Sequence, residues 1–273
     1  ATVATLGVSA ATTSKDLLVT GIATVATLEV GSNIKLGNAG VVTATSFSGS
    51  GANLTGISAG LTTDAYRNTT GGINAGDSFT SGSALDNTLI GYDAGTAITT
   101  GDSNTAVGSY ALKTTNTGIE NTAIGMYALN SNSTGTKNTA SGFSALFGNT
   151  TASGNVAVGH QALYTNSTGA WNIGVGHKAL FANTTGQHNI GIGEEALASN
   201  TTGDYNTSVG GDALIFNTTG DNNTAVGKNA LCYNTTADNN SALGYGALQT
   251  NTTGHSNTAS GYEALTANTT GDY

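Results

Sequence analysis

The chain has 273 residues, 40 of them Gly and none Pro, with 8% charged residues and a net charge of −9. A disordered tail would carry more charge and more Pro, and a phosphate-binding surface would need more than seven Lys plus Arg, so disorder and nucleic-acid binding are both excluded. No run approaches the roughly 18 apolar residues of a membrane-spanning helix, and a single cysteine, Cys232, excludes an internal disulfide framework. A start at Ala1 rather than Met reads as a processed or partial chain.

Residues 1–60 repeat loosely. Ala1-Thr-Val-Ala-Thr-Leu6 returns as Ala23-Thr-Val-Ala-Thr-Leu28, and Val42-Thr-Ala-Thr-Ser-Phe47 is related. Alternating Thr and apolar residues predict short strands. So few large side chains cannot form a private core, so a β-rich shaft intertwined with other chains is expected here. Residues 61–86 form a degenerate transition containing Arg67 and nearby Asp residues.

From Asn87 to Tyr273 the chain repeats every 17 residues, through eleven units without an insertion. The consensus is N-T-A-V-G-x-x-A-L-x-x-N-T-T-G-D-x, numbered below as positions 1 to 17. Position 1 is always Asn (Asn104, Asn121), position 5 always Gly (Gly108, Gly125) and position 8 always Ala; position 9 is Leu from Leu112 and Leu129 through Leu265. Positions 2 to 4 predict a short strand, and Gly at position 5 a bend or close backbone approach. Ala-Leu at positions 8 and 9 predicts a second extended piece. Asn-Thr-Thr-Gly predicts a turn whose Gly takes positive φ. A helix is excluded, because each interior Gly costs about 1 kcal/mol relative to Ala and the turn signals lie too close together.

One unit cannot bury its own apolar face, but stacked units can. The expected fold is therefore all-β: a parallel β-solenoid or β-roll of 17-residue coils, with continuous Leu and Asn ladders and a length of roughly 50 Å at about 4.7 Å per coil. Position 3 is small in ten of eleven units, as in Ala106, Ala123, Gly174 and Gly191. Strand alternation sets it opposite positions 2 and 4. A face limited to such residues points to a second backbone packed on it, and so to three chains around one axis. A single-chain solenoid with tight turns is the alternative.

The recurring Asn-Thr-Ala-Val-Gly-x-x-Ala-Leu resembles the head repeats of trimeric autotransporter adhesins, which are left-handed parallel β-rolls with a shorter repeat. The 17-residue form with Asn-Thr-Thr-Gly turns is similar to repeats of phage tail-fibre-like proteins, which often end in a self-cleaving chaperone domain. Gly40-Val-Val-Thr-Ala-Thr-Ser-Phe-Ser-Gly-Ser-Gly-Ala-Asn-Leu-Thr-Gly56 is similar to segments of cyanophage fibre and virion proteins. The resemblance implies a homotrimeric tail fibre or virion appendage, bound through its N-terminus to other fibre or virion proteins and engaged in host attachment. An extracellular or cell-surface bacterial adhesin or filament subunit is the alternative.

Other chemistry is sparse. His160 and His177 share position 6 and should stack, while His188 and His255 have no companion at ligand spacing. Asp102, Asp204, Asp221, Asp238 and Asp272 recur at position 16, where turn chemistry competes with Ca²⁺ binding. Glu194-Glu195 is a carboxylate pair whose members should point to opposite faces. No nucleophile elbow or phosphate loop is present, so neither catalysis nor a cofactor or metal is expected. Asn183 and Asn251 lie in sequons generated by the turn repeat. Tyr110, Tyr127 and Trp171, with Tyr164, Phe181 and Tyr233, occupy variable positions where they would meet a host-surface glycan or pack between coils. Thr-Thr ladders raise an ice-binding alternative, but adjacent Thr residues should face opposite ways.

Overall fold

The computed structural model describes residues 61–80 and 82–273, so the expected shaft at 1–60 lies outside the described residues. The described chain is all-β. Strands β1 (Thr62–Thr63) and β2 (Thr69–Gly71) are followed by eleven more, from β3 (Thr88–Ile90) to β13 (Thr258–Ser260), in one sheet whose order follows the sequence. From β3 onward each strand occupies positions 2 to 4 and pairs in parallel with its counterpart 17 residues away, as in Thr105↔Thr122 and Ala106↔Ala123. The 68–86 stretch, read from the sequence as a transition, forms a 19-residue coil of the same stack, with Thr69 opposite Thr88.

Inter-coil bonding extends well beyond the three-residue strands. Gly108 N–H donates to Ile90 O (2.8 Å), Leu112 N–H to Ala128 O (3.1 Å), Asn116 N–H to Ser133 O (3.0 Å) and Glu120 N–H to Asp102 O (3.0 Å). Backbone donors around the whole coil are thus committed, which accounts for a chain without Pro: a Pro at any of these places would remove a donor from the ladder.

The interior is built from positions 3, 8 and 9. Ala106, Ala111 and Leu112, and their counterparts Ala123, Ala128 and Leu129, are fully buried. Ala-Leu is not the extended piece its composition predicts. In an extended segment the two side chains would point to opposite faces. Instead the backbone turns at Leu, with φ of 50° at Leu112 and 51° at Leu129, and both side chains enter the core. A left-handed non-Gly residue costs roughly 1–2 kcal/mol, and burying the Leu side chain offsets that with roughly 1.5–3 kcal/mol.

Position 3 points into the same core, which corrects the trimer-axis assignment of Ala106, Ala123, Gly174 and Gly191. A Cβ on Gly174 would sit 3.2 Å from Leu163 Cγ, and one on Gly191 3.2 Å from Leu180 Cγ. The small residues make room for the Leu column of their own chain. The first 17-residue coil shows this by exchange: it carries Leu89 at position 3 and Gly95 at position 9, and a Cβ on Gly95 would lie 2.7 Å from Leu89 Cδ1. Leu89, together with the buried Ile98 (Cδ1 2.9 Å from the same Cβ), fills the space that the position-9 Leu fills in later coils.

Two buried Asn ladders complete the interior. Asn121 N–H and Nδ2 both donate to Asn104 Oδ1 (3.0 and 3.1 Å), and Nδ2 also donates to Gly135 O (2.9 Å). At position 12, Asn149 Nδ2 donates to Asn132 Oδ1 (2.8 Å) and Ala152 O (3.0 Å). Every buried side-chain N or O among the described residues has a partner, as buried amides require. The first rung is closed by Asp64, which accepts from Asn68 N–H (2.9 Å) and Asn68 Nδ2 (3.0 Å), where an Asn side chain serves in later coils. Burial would raise the Asp64 pKa, but these bonds and that from Tyr66 N–H outweigh it and hold the carboxyl below its usual range. β1 then pairs antiparallel with β2 across the edge of the sheet, and Arg67 clamps Asp86 through two bonds (2.5 and 2.7 Å).

Candidate interaction surface

The residues expected to be structural rungs are structural. Gly108 and Gly125 have φ of 136° and 129°, a region open essentially to Gly, and a Cβ on Gly108 would meet Gly125 O at 2.6 Å. The turn Gly at position 15 does not use positive φ, contrary to expectation. That conformation falls instead on positions 5, 7, 9 and 17. Ala152 and Ala237 accordingly replace Gly at position 15 without strain in φ.

The sequence reading missed the surface formed by positions 2 and 4. With position 3 inward, these point outward along the whole sheet. Position 4 runs Ile90, Val107, Ile124, Ser141, Val158, Val175, Ile192, Val209, Val226, Leu243, Ser260, and Val107, Ile124, Val158, Ile192 and Leu243 are 37–55% exposed. Position 2 alongside is Thr, Val, Ile or Ser in every coil, and neither column carries a charge. The signal was present: β-branched residues alternating with Ala fit either face, but the Leu89–Gly95 exchange identifies the inward one.

The aromatic residues form columns. Tyr110 and Tyr127 stack with centroids 4.9 Å apart and planes 4° apart, and Lys113 Nζ lies 4.7 Å from the centre of the Tyr110 ring. Burial first, then the neighbouring Tyr92 and Tyr127, raises the Tyr110 pKa. Both Tyr110 and Tyr127 are half-buried, so their faces serve mainly to pack coil on coil. Trp171 is exposed and lies over Gly154. It opens an outer position-17 column continued by His188 and Tyr205, which stack at 5.0 Å.

His160 and His177 stack as expected, at 5.4 Å, in a column continued by Phe143. Among the described residues no group of three His, Cys, Asp or Glu is placed to hold a metal ion. The position-16 carboxylates instead accept backbone N–H groups of the preceding coil: Asp204 from Gln187, Asp221 from Asp204, Asp238 from Asp221 and Asp272 from His255, all at 2.7 Å. Asn183 and Asn251 are fully buried with their amides bonded, so the folded sequons offer no acceptor nitrogen. Burial, then Asp212, pushes the Cys232 thiol up to about 11.

Comparison of the chain with protein-family models, curated proteins and solved structures finds no match.

Proposed function

We propose that this chain is the rod segment of a homotrimeric fibre, a phage tail fibre or similar virion appendage that holds a host-recognition element away from the particle. The observation that carries the reading is the uncharged and mostly β-branched face formed by positions 2 and 4 along the stack. Such a face loses free energy by staying wet, at about 25 cal/mol per Å² of apolar surface. A partner that covers it must present matching groups at every rung, and another copy of the chain has that spacing by construction. The number three comes from the resemblance to trimeric β-rolls. The function is mechanical: bending a rod in which every coil is bonded to its neighbours would require breaking ladder hydrogen bonds.

Sedimentation equilibrium tests this directly. The expected mass is three times 26.9 kDa, and a Val158→Lys/Ile192→Lys double variant should fall to a folded monomer. A wild-type chain that stays monomeric at tens of micromolar would refute the reading.

A further inference from the structure

We propose that the exposed threonine row at position 14 binds a crystal face of ice, through the coils from Thr117 to Thr185. Position 14 is Thr in all eleven coils and exposed in all eleven, from Thr100 to Thr270. The fold does not require that constancy. Position 2, outward on the sheet, takes Thr, Val, Ile and Ser interchangeably. None of the position-14 hydroxyls is hydrogen-bonded among the described residues. Position 13 differs. It is half-buried in most coils, and its hydroxyl is used within the stack: Thr184 Oγ1 donates to Thr201 O and Thr201 Oγ1 to Thr218 O, both at 2.9 Å. Adjacent Thr residues thus face apart, and position 14 presents a methyl group and a free hydroxyl to solvent at every rung.

Spacing and chemistry select the occupant. Rungs bonded one to the next repeat the row at about 4.7 Å. Position 15 beside it is buried from Gly101 to Gly254, so the next outward position is 16, about 6.7 Å across the row at the usual rise per extended residue. In the coils of Thr117, Thr134, Thr151, Thr168 and Thr185 this second rank is Ile119, Thr136, Ser153, Ala170 and Gln187, all uncharged. In the next three coils it is Asp204, Asp221 and Asp238. An ionised carboxylate holds its own hydration and interrupts a regular water lattice, which confines the site to the earlier coils. Glu120 and Lys137, at position 17 of the first two of these coils, pair with each other at 3.9 Å. A two-dimensional array of methyl and hydroxyl groups suits a partner that itself repeats in two dimensions, carries no charge, and offers both donors and acceptors at every repeat. An ice face meets all three conditions. The coils hold the array in place before contact, so little conformational entropy is lost on binding. The site needs one chain only and leaves positions 2 and 4 free, so it stands or falls separately from trimer formation.

Nanolitre osmometry on the full chain tests the assignment. At hundreds of micromolar the protein should facet ice crystals and hold their growth below the melting point. A Thr151→Lys/Thr168→Lys variant sets two strongly hydrated charges in the middle of the array and should reduce that temperature gap at least tenfold at equal concentration. Thr236→Lys, in a coil whose second rank is already Asp238, should keep it. All three side chains are exposed, and unchanged melting curves check the fold. Unfaceted ice growing at its melting point in the wild-type protein, a gap undiminished in Thr151→Lys/Thr168→Lys, or an equal loss in Thr236→Lys would overturn the proposal. So would a lower sedimentation mass in Thr151→Lys/Thr168→Lys, which would make the row a contact between chains.

Discussion

Replacing Asn121 by Ala tests whether the Asn ladder carries the stack. The side chain makes four hydrogen bonds: Nδ2 to Asn104 Oδ1 and Gly135 O, and Oδ1 from Asn138 N–H and Asn138 Nδ2. Three of the partners keep another bond. Asn104 Oδ1 still accepts from Asn121 N–H, Gly135 O from Asn132 Nδ2, and Asn138 Nδ2 still donates to Ala152 O. The Asn138 N–H keeps none. A buried N–H left without a partner costs roughly 1–3 kcal/mol, and the weakened bonds and small void add to it. The total is about 3–4 kcal/mol. It should concentrate at one boundary, because each coil bonds only to its neighbours. Guanidinium unfolding gives the total. Hydrogen exchange locates it, with the Asn138 amide losing protection while the Asn223 amide keeps its own. A loss below about 1 kcal/mol, or an Asn138 amide as protected as before, would show that the ladder follows from the stack rather than holding it. Thr134→Ala, at an exposed hydroxyl, is the control and should stay within about 0.5 kcal/mol.

Gly125→Ala should destabilise by about 3 kcal/mol or more in thermal unfolding, because it combines a φ of 129° with a Cβ 2.5 Å from Gly142 O. Gly135→Ala carries no penalty from positive φ, but its Cβ would overlap Ala152 O, so it should destabilise through that clash alone. Leu89→Ala should cost about 2–5 kcal/mol as a cavity. Adding Gly95→Leu, at a φ of 57° close to that of the other position-9 Leu residues, should recover most of it; a simple sum of the two single effects would refute the facing of positions 3 and 9. Cys232 should resist iodoacetamide at pH 7.5 until the chain unfolds. Because folding raises its pKa from 9.0 to about 11, the fold favours the protonated thiol, so stability is complete below pH 9 and declines through pH 11. The decline should be about 1–2 kcal/mol and absent in Cys232→Ala, as read from urea midpoints across that range.

The repeat is legible because every rung repeats the same physical requirement. Asn at position 1 and Gly at position 5 never vary, and each is fixed by contacts with the coils on either side. The Leu column is legible for the same reason. Local conformation is less so. Ala-Leu is ordinary strand or helix composition, and its left-handed turn arises from the need to place two neighbouring side chains in one core. Asn68-Thr-Thr-Gly71 matches the turn string residue for residue, yet it supplies strand β2. Its register against Thr88–Ile90 decides the matter, and that is tertiary information.

The direction of the sheet was the hardest property to read, and the reason is general. A strand of three residues offers two outward positions and one inward, and side-chain size alone identifies neither. Small side chains gather wherever two surfaces approach closely, whether those belong to one chain or to several. The distinction requires knowing what lies opposite. Here Leu lies opposite in ten coils, and in the eleventh the large and small residues have changed places. A contact between different chains would not require that exchange within a single coil, whereas a core enclosed by one chain does, because its volume is fixed by the bonded ring of backbone around it. Compensation inside one repeat is therefore a stronger guide to the buried face than constancy across all of them.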